Sequence, residues 1–286
     1  MRTGSAALRS INRAKLPRSV GGPGVRNQTN VGGCEGCANS SGGTIQLALD
    51  GTPLPEPISH VGTYLGALMC DAVPNADGSL PWFIDTGTMP SSILGGWGLY
   101  GGSLESAWGQ LPMSQSTMYS TDPSAPQGAL IQPTPNQLYT GRACRLQGAY
   151  FLTSSGAALV RDLIRVLGSG KVLTNAIRGS SAAFQNYTGG IIGALDGPID
   201  HAQLVLDYEW TSDQASLDAF MAGDDSKVGF FLLRGCNSWG GKNCPDGGTW
   251  GEVDEVNQLG GQYRANNDFV QQAADWCVLS IERLAA

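Results

Sequence analysis

Three short segments, widely separated along the chain, hold the reactive residues that most constrain this sequence. The first runs from Gln28 to Cys37 and places two thiols after a pair of glycines. The second is Asp-His-Ala at 200–202, and the third is Asn-Ser-Trp-Gly at 237–240, followed by Trp-Gly-Glu at 250–252. A thiol, an imidazole and an amide act together only when the fold brings them within hydrogen-bond reach. The sequence therefore predicts a fold that joins distant parts of the chain at one site.

The two halves of the 286-residue chain differ in their patterns. In residues 26–145 an apolar stretch predicts a helix that starts near Pro57 and Ser59, whereas Gly42 and Gly43 weaken the helix prediction for Ile45–Leu49. In residues 146–286 an amphipathic helix capped near Ser154 or Ser155 precedes β-like runs at 172–177, 202–208 and 228–233. The run 202–208 alternates and predicts a half-buried strand with His201 at its N-terminal edge.

These patterns predict an α+β fold with two lobes. Residues 1–25 would form a basic N-terminal arm, residues 26–145 a helix-rich lobe with the nucleophile, and residues 146–286 a β-rich lobe with the histidine and the asparagine. A cleft between two lobes is a common place for an active site.

In order and approximate spacing, the three segments resemble those of the papain-like cysteine peptidases, from about residue 16 to residue 252. That family has a glutamine six residues before its nucleophile, Asp-His-Ala at the head of a strand, and Asn-Ser-Trp-Gly followed by Trp-Gly-Glu. The resemblance implies the papain-like two-lobe fold. It also implies a catalytic set, with Gln28 as the oxyanion donor, made of Cys34, His201 and Asn237.

The resemblance also implies a set of substrate-binding residues. Gly101 and Gly102 resemble the strand-like edge that pairs with the substrate backbone, and Gly95 and Gly96 offer a second choice. Asp200 would line the far side of the cleft. Trp239 would border the cleft and shield the hydrogen bond between His201 and Asn237.

The chemistry explains why these residue types are needed. The thiolate is the nucleophile, and a helix N-terminus or a nearby imidazolium lowers the pKa of a thiol. His201 would hold the thiolate as an ion pair and then protonate the leaving amine. Gln28 and the backbone N–H of Cys34 would stabilise the oxyanion.

Two cysteines compete for the nucleophile role. The six-residue spacing from Gln28 favours Cys34, whereas Cys-Glu-Gly-Cys at 34–37 mimics the Cys-Gly-Ser-Cys of plant and animal members and favours Cys37. The residue after Cys34 is Glu35, where those members have Trp. Bacterial and viral members vary at this point, so the resemblance is to a member of that kind.

The bulk properties narrow the range of partners. A net charge of −7 argues against nucleic acid as the main partner, and no apolar run is long enough to predict a membrane span. The first 20 residues are basic without an apolar block, which argues against a secretory leader and favours a cytoplasmic or virion-associated protein. Seven cysteines leave at least one thiol free or paired between chains, and Cys236 and Cys244 could pair.

We therefore predict a thiol endopeptidase that acts on protein or peptide substrates and needs no cofactor or metal. One alternative is a catalytically silent protein of the same fold, used as a binding subunit of a larger assembly such as a virus particle. A second is transfer of the acyl group to an amine instead of water. Fold alone does not decide between activity and silence.

Overall fold

A computed structural model describes residues 8–9, 26–109, 113–134, 137, 142–244, 247–253, 258 and 260–284. Its helices are α1 Cys34–Leu49, α2 His60–Asp71, α3 Pro90–Tyr100, α4 Gln115–Met118, α5 Gly156–Gly168, α6 Ala182–Gln185, α7 Gln214–Met221 and α8 Asn267–Gln272. Its strands are β1 Leu8–Arg9, β2 Gly102–Ser103, β3 Arg142–Phe151, β4 Leu173–Ile177, β5 His201–Trp210, β6 Phe231–Cys236, β7 Gln262–Ala265 and β8 Ala274–Arg283. No described helix is long and apolar enough to cross a membrane.

The first lobe is built on α1, α2 and α3. Helix α2 starts where the sequence predicts, because the Ser59 side chain accepts a hydrogen bond from the Gly62 N–H at its first turn. Helix α1 continues through Gly42 and Gly43 because it packs closely on its neighbours. A Cβ on Gly43 would lie 2.5 Å from the Trp97 ring, so only glycine allows this approach.

One antiparallel sheet connects the two lobes, with the strand order β2-β3-β8-β4-β5-β6-β7. Strand β1 adds to the Glu209–Trp210 end of β5. The rest of the predicted basic arm, residues 1–25, lies outside the described residues. Helix α5 covers the second-lobe side of the sheet with the apolar face that the sequence predicts.

Strand β5 is buried along its whole length, not half-buried as its alternation predicts. Helix α1 covers one face, since Gly42 approaches Leu204 and Ile45 shares a cluster with Leu206. The other face carries Val205 into the core beneath α5. The strand that starts with His201 is therefore held on both faces.

Strand β8 runs between β3 and β4 and carries apolar residues into the first lobe. Cys277, Leu279 and Ile281 pack in one cluster with Ile58 and Trp97. The sheet thus crosses the predicted division at residue 145, and both lobes share this strand.

A buried ion pair joins β5 to β6. The Arg234 Nε donates to the Glu209 Oε1, and their side chains are only 5% and 6% exposed. Ion pairs on the surface also occur, for example between Arg145 and Glu282, where the side chains are 55% and 41% exposed.

Candidate active site

Cys34 is the first residue of helix α1, where backbone N–H groups point out of the helix end. Gly33 precedes it as the N-cap residue, and a side chain at this position would collide with the Met113 sulfur. Cys34 is partly exposed, whereas Cys37 is buried one turn later with its Sγ 3.8 Å from the Met113 Sδ. Of the two thiols, only Cys34 lines the large cavity between the lobes.

This cavity has a volume of about 780 Å³, and four of the eight site residues that the sequence predicts line it. Cys34, Gln28, Asp200 and His201 all line it. Asn237 and Trp239 are not in its wall; they lie behind His201 instead. A cavity of this size is typical of a substrate or ligand site.

His201 is the first residue of β5 and is 8% exposed. Its Nε2 is 2.5 Å from the Oδ1 of Asn237, which follows the end of β6. The same Oδ1 accepts a hydrogen bond of 2.7 Å from the Ser238 N–H. Because the carboxamide oxygen accepts, His201 carries its proton on Nε2, and its Nδ1 is the nitrogen left for a proton from elsewhere.

An aromatic cluster packs beside this pair. The Trp239 ring lies 4.9 Å from the His201 ring, centroid to centroid, at an angle of 31°. Phe184 contacts both rings and accepts, through its backbone carbonyl, a hydrogen bond of 2.9 Å from the Trp250 Nε1. Both residues of the pair are buried beside this cluster, with His201 8% and Asn237 2% exposed. No sequence motif predicts a role for Phe184, which lies five residues before Gly-Gly-Ile at 189–191.

Gln28 is buried close to the third segment. Its backbone N–H donates to the Ser238 carbonyl at 2.8 Å, and its side-chain Oε1 accepts from the Ser238 hydroxyl. Its Nε2 donates one hydrogen bond of 3.0 Å to the Val31 carbonyl, and an amide nitrogen has a second proton. This arrangement fixes the Gln28 amide at the cavity wall, beside the loop that leads to Cys34.

Asp85 is a residue of this site that the sequence analysis misses. Its Oδ1 accepts from the Gly32 N–H at 2.9 Å and from the Tyr64 hydroxyl at 2.7 Å. Its Oδ2 accepts from the Tyr119 hydroxyl at 3.0 Å. Asp85 thus ties the loop before Cys34 to two distant parts of the first lobe.

The predicted substrate edge lies elsewhere. Gly101 and Gly102 are not among the residues that line the cavity, and Gly102 instead pairs with Cys144 of β3. Gly87 lines the cavity just before helix α3, and its φ of 78° is in the left-handed region that favours glycine. Gly95 and Gly96 lie within α3, where Gly96 packs on the backbone of Gly66.

Burial controls the ionisation of the site. The pKa of Cys34 is raised to about 11, mainly by burial and then by the charge of Glu35, although a hydrogen bond from the Ala202 backbone acts to lower it. Burial lowers the pKa of His201, against the hydrogen bond to Asn237 and the charge of Asp200, which raise it. Both shifts favour the uncharged forms, a thiol at Cys34 and a neutral imidazole at His201, and the thiol contacts the backbone of Ala202, the residue that follows His201.

Replacing Glu35 by Gln should shift the alkylation of Cys34 by iodoacetamide to lower pH. Burial raises the pKa of Glu35 to about 8, so above this pH its negative charge opposes formation of the thiolate. Glutamine is neutral at every pH, so the thiolate forms more readily. The measurement is the alkylation rate against pH, with the modified cysteine identified by mass spectrometry; Glu282→Gln, an exposed carboxylate, is the control. An unchanged profile in Glu35→Gln would contradict the expectation.

The described residues contain no group of three or more His, Cys, Asp or Glu placed to hold a metal ion. All seven cysteines, which lie within the described ranges, are free of disulfides, and Cys236 and Cys244 share one hydrophobic cluster. His60 is buried at the start of α2, where its Nδ1 is 3.6 Å from Glu105. Its position away from the cavity fits a structural role.

Several solved structures of cysteine proteases share this fold. Bromelain from Ananas comosus, in complex with the E64 inhibitor, matches with a TM-score of 0.58 at 15% identity, over 97% of this chain and 100% of that chain. Xylellain, a cysteine protease from Xylella fastidiosa, matches with a TM-score of 0.56 at 16% identity, over 97% and 90%. A Carica candamarcensis cysteine protease, also in complex with E-64, matches with a TM-score of 0.57 at 17% identity, over 96% and 98%.

No protein-family model and no curated protein matches the sequence. The likeness is therefore one of fold, and the predicted α+β two-lobe architecture of the papain-like proteases is confirmed.

Proposed function

We propose that this chain, which has the papain-like fold, is a cysteine peptidase that hydrolyses peptide bonds through a thioester on Cys34. The observation that carries the proposal is the joint position of three groups. The partly exposed thiol of Cys34, at a helix N-terminus, lines the same cavity as His201. The Nε2 of His201 is hydrogen-bonded to Asn237, and the Trp239 ring packs beside the His201 ring.

The proposed reaction starts with transfer of the Cys34 proton to the His201 Nδ1, since Nε2 is bonded to Asn237. The thiolate attacks the carbonyl carbon of the peptide, and the developing oxyanion accepts hydrogen bonds from the Gln28 amide and the Cys34 backbone N–H. His201 then donates the proton to the leaving amine. Water, with His201 as the base, hydrolyses the thioester and restores the thiol.

The test is labelling of the purified protein with E-64, the inhibitor bound in two of the neighbouring structures, and with iodoacetamide, together with hydrolysis of a broad peptide library. We expect both reagents to modify Cys34 and the library to yield cleaved peptides. Modification of Cys37 instead would assign the nucleophile to Cys37, one helical turn after Cys34. A protein that takes up neither reagent at these positions and cleaves no peptide would overturn the proposal.

A catalytically silent binding protein of the same fold is the second candidate. The observation that favours it is the weak acidity of the Cys34 thiol, whose pKa is raised to about 11, so that little thiolate forms near neutral pH. The same labelling and hydrolysis experiment decides between the two functions. Products formed with an added amine distinguish acyl transfer from hydrolysis.

Asp85→Ala should lower kcat/KM for peptide hydrolysis by about tenfold to a hundredfold, because small misplacements of a reacting group are costly. The substitution removes the acceptor for the Gly32 N–H and for two tyrosine hydroxyls, so the loop before Cys34 is no longer held. Asp122→Ala is the matched control. It removes an exposed carboxylate in the same lobe, which accepts hydrogen bonds from the backbone N–H and the hydroxyl of Ser124. Equal kinetics in the two variants would show that Asp85 does not position the nucleophile.

A further inference from the structure

The wall of the cavity between the lobes is strongly acidic. Among the described residues that line it there is no Lys and no Arg, and there are five carboxylate residues: Glu35, Asp71, Asp85, Asp200 and Asp275. Asp85 is occupied by the three hydrogen bonds described above, and Asp200 accepts from the Ser180 N–H at 3.2 Å. The remaining acids are available to a ligand that enters the cavity beside Cys34.

Glu35 differs from the other acids because it is only 5% exposed and yet lines the cavity. Its Oε2 accepts a hydrogen bond of 2.9 Å from the Asn39 Nδ2, one turn along the same helix. Within the described part of the chain, no hydrogen bond reaches its Oε1. A buried carboxylate without a cationic partner is costly, so this oxygen marks the place for a donor that the described residues do not supply.

Asp275 faces the same region from strand β8. It is exposed, and its φ of 52° lies in the left-handed region, which is uncommon for a residue other than glycine. Its negative charge adds to burial in raising the pKa of Glu35. The two carboxylates therefore interact across the cavity, and a positive charge between them would favour ionisation of both.

We propose that Glu35 and Asp275 form a subsite that binds a basic side chain, Lys or Arg, of the peptide next to the bond that Cys34 attacks. The subsite rests on the proposed peptidase function. It explains why an acid directly follows the nucleophile and why the described part of the surrounding wall has no Lys or Arg. A guanidinium suits it well, because its forked donors match a carboxylate.

An organic cation fits the observations better than a metal ion. The described residues offer no third His, Cys, Asp or Glu placed with this pair as a metal ligand set. The cavity of about 780 Å³ is far larger than one ion and has room for several residues of an extended peptide.

The first experiment measures kcat/KM on matched peptides that carry Arg, Lys, Met or Gln at each of the three positions before the scissile bond. In the wild type we expect Arg and Lys to exceed Met and Gln by about tenfold or more at one of these positions, and high salt to reduce the ratio. Glu35→Gln keeps an acceptor for Asn39 and should bring the ratio close to one. Asp275→Asn, which tolerates the left-handed backbone, should reduce the ratio to a smaller extent.

Asp77→Asn, an exposed carboxylate outside the cavity, is the control and should keep the wild-type ratio. Melting temperatures of all variants separate a change of specificity from a loss of folding. Equal kcat/KM for basic and neutral peptides in the wild type would overturn the subsite while leaving the peptidase function standing.

The second experiment does not depend on turnover. Titration calorimetry with the Cys34→Ala variant should detect binding of an Arg peptide, and the Gln peptide should bind more weakly. Adding Glu35→Gln to this variant should weaken the binding of the Arg peptide. If the wild type neither hydrolyses peptides nor reacts with E-64 and yet this binding is seen, the peptidase function fails and the subsite stands. Equal binding of the two peptides overturns the subsite.

Discussion

Replacing Cys34 by Ala should abolish peptide hydrolysis and leave the fold intact. Removing a nucleophile of this kind lowers kcat on the order of 10⁴- to 10⁶-fold, because the covalent step is lost. Cys34 is partly exposed at the start of α1, so the free energy of unfolding should change by less than about 0.5 kcal/mol. The measurements are peptide hydrolysis and urea unfolding of the wild type and the variant.

Cys37→Ala provides a matched control with the opposite pattern. Cys37 is 2% exposed and packs with Tyr64 and Met113, so its loss should cost about 1 to 2 kcal/mol of stability. Hydrolysis should persist. A variant Cys34→Ala with full turnover, together with an inactive Cys37→Ala, would assign the nucleophile to Cys37 and overturn the present assignment.

Glu209→Ala should destabilise the protein by about 3 to 5 kcal/mol, because it breaks a buried ion pair by removing the carboxylate that accepts from the Arg234 guanidinium. The pair ties β5, which begins with His201, to β6, which leads to Asn237. Urea unfolding followed by tryptophan fluorescence measures the loss. Its size relative to a surface pair, not its absolute value, is the informative quantity.

The surface pair Arg145–Glu282 supplies that comparison. Its side chains are exposed, so Glu282→Ala should cost no more than about 1 kcal/mol. If Glu209→Ala lowers the free energy of unfolding no more than Glu282→Ala does, the buried pair between β5 and β6 stabilises the protein no more than a surface pair.

Local patterns predict the helices and strands best where neighbouring residues decide the structure. The Ser59 cap of α2 and the apolar face of α5 follow from short-range rules, and both are found. Helix α1 is different, because its glycines at 42 and 43 are unfavourable locally and are required by the close approach of Trp97 and Leu204. The burial of both faces of β5 likewise depends on α1 and α5, which lie far away in the sequence.

The candidate site divides in the same way. Motifs single out Cys34, His201 and Asn237, because their chemistry restricts the residue types at those positions. Asp85 carries no motif, since its role depends on partners 53, 21 and 34 residues away. The glycine at the cavity edge, Gly87, is one of 41 in the chain, so composition alone could not select it.

Strand β8 has a consequence for how the chain is made. It occupies the space between β3 and β4, so the sheet is split into two pieces until residues 274–283 have left the ribosome. The first lobe also lacks Cys277, Leu279 and Ile281 of its core until then. Domains commonly fold as units during synthesis, N-terminal first, but here neither lobe can finish alone. Nascent chains stalled before residue 274 should therefore remain sensitive to protease, and the proposed pairing of Cys34 with His201 should form only after the last strand inserts.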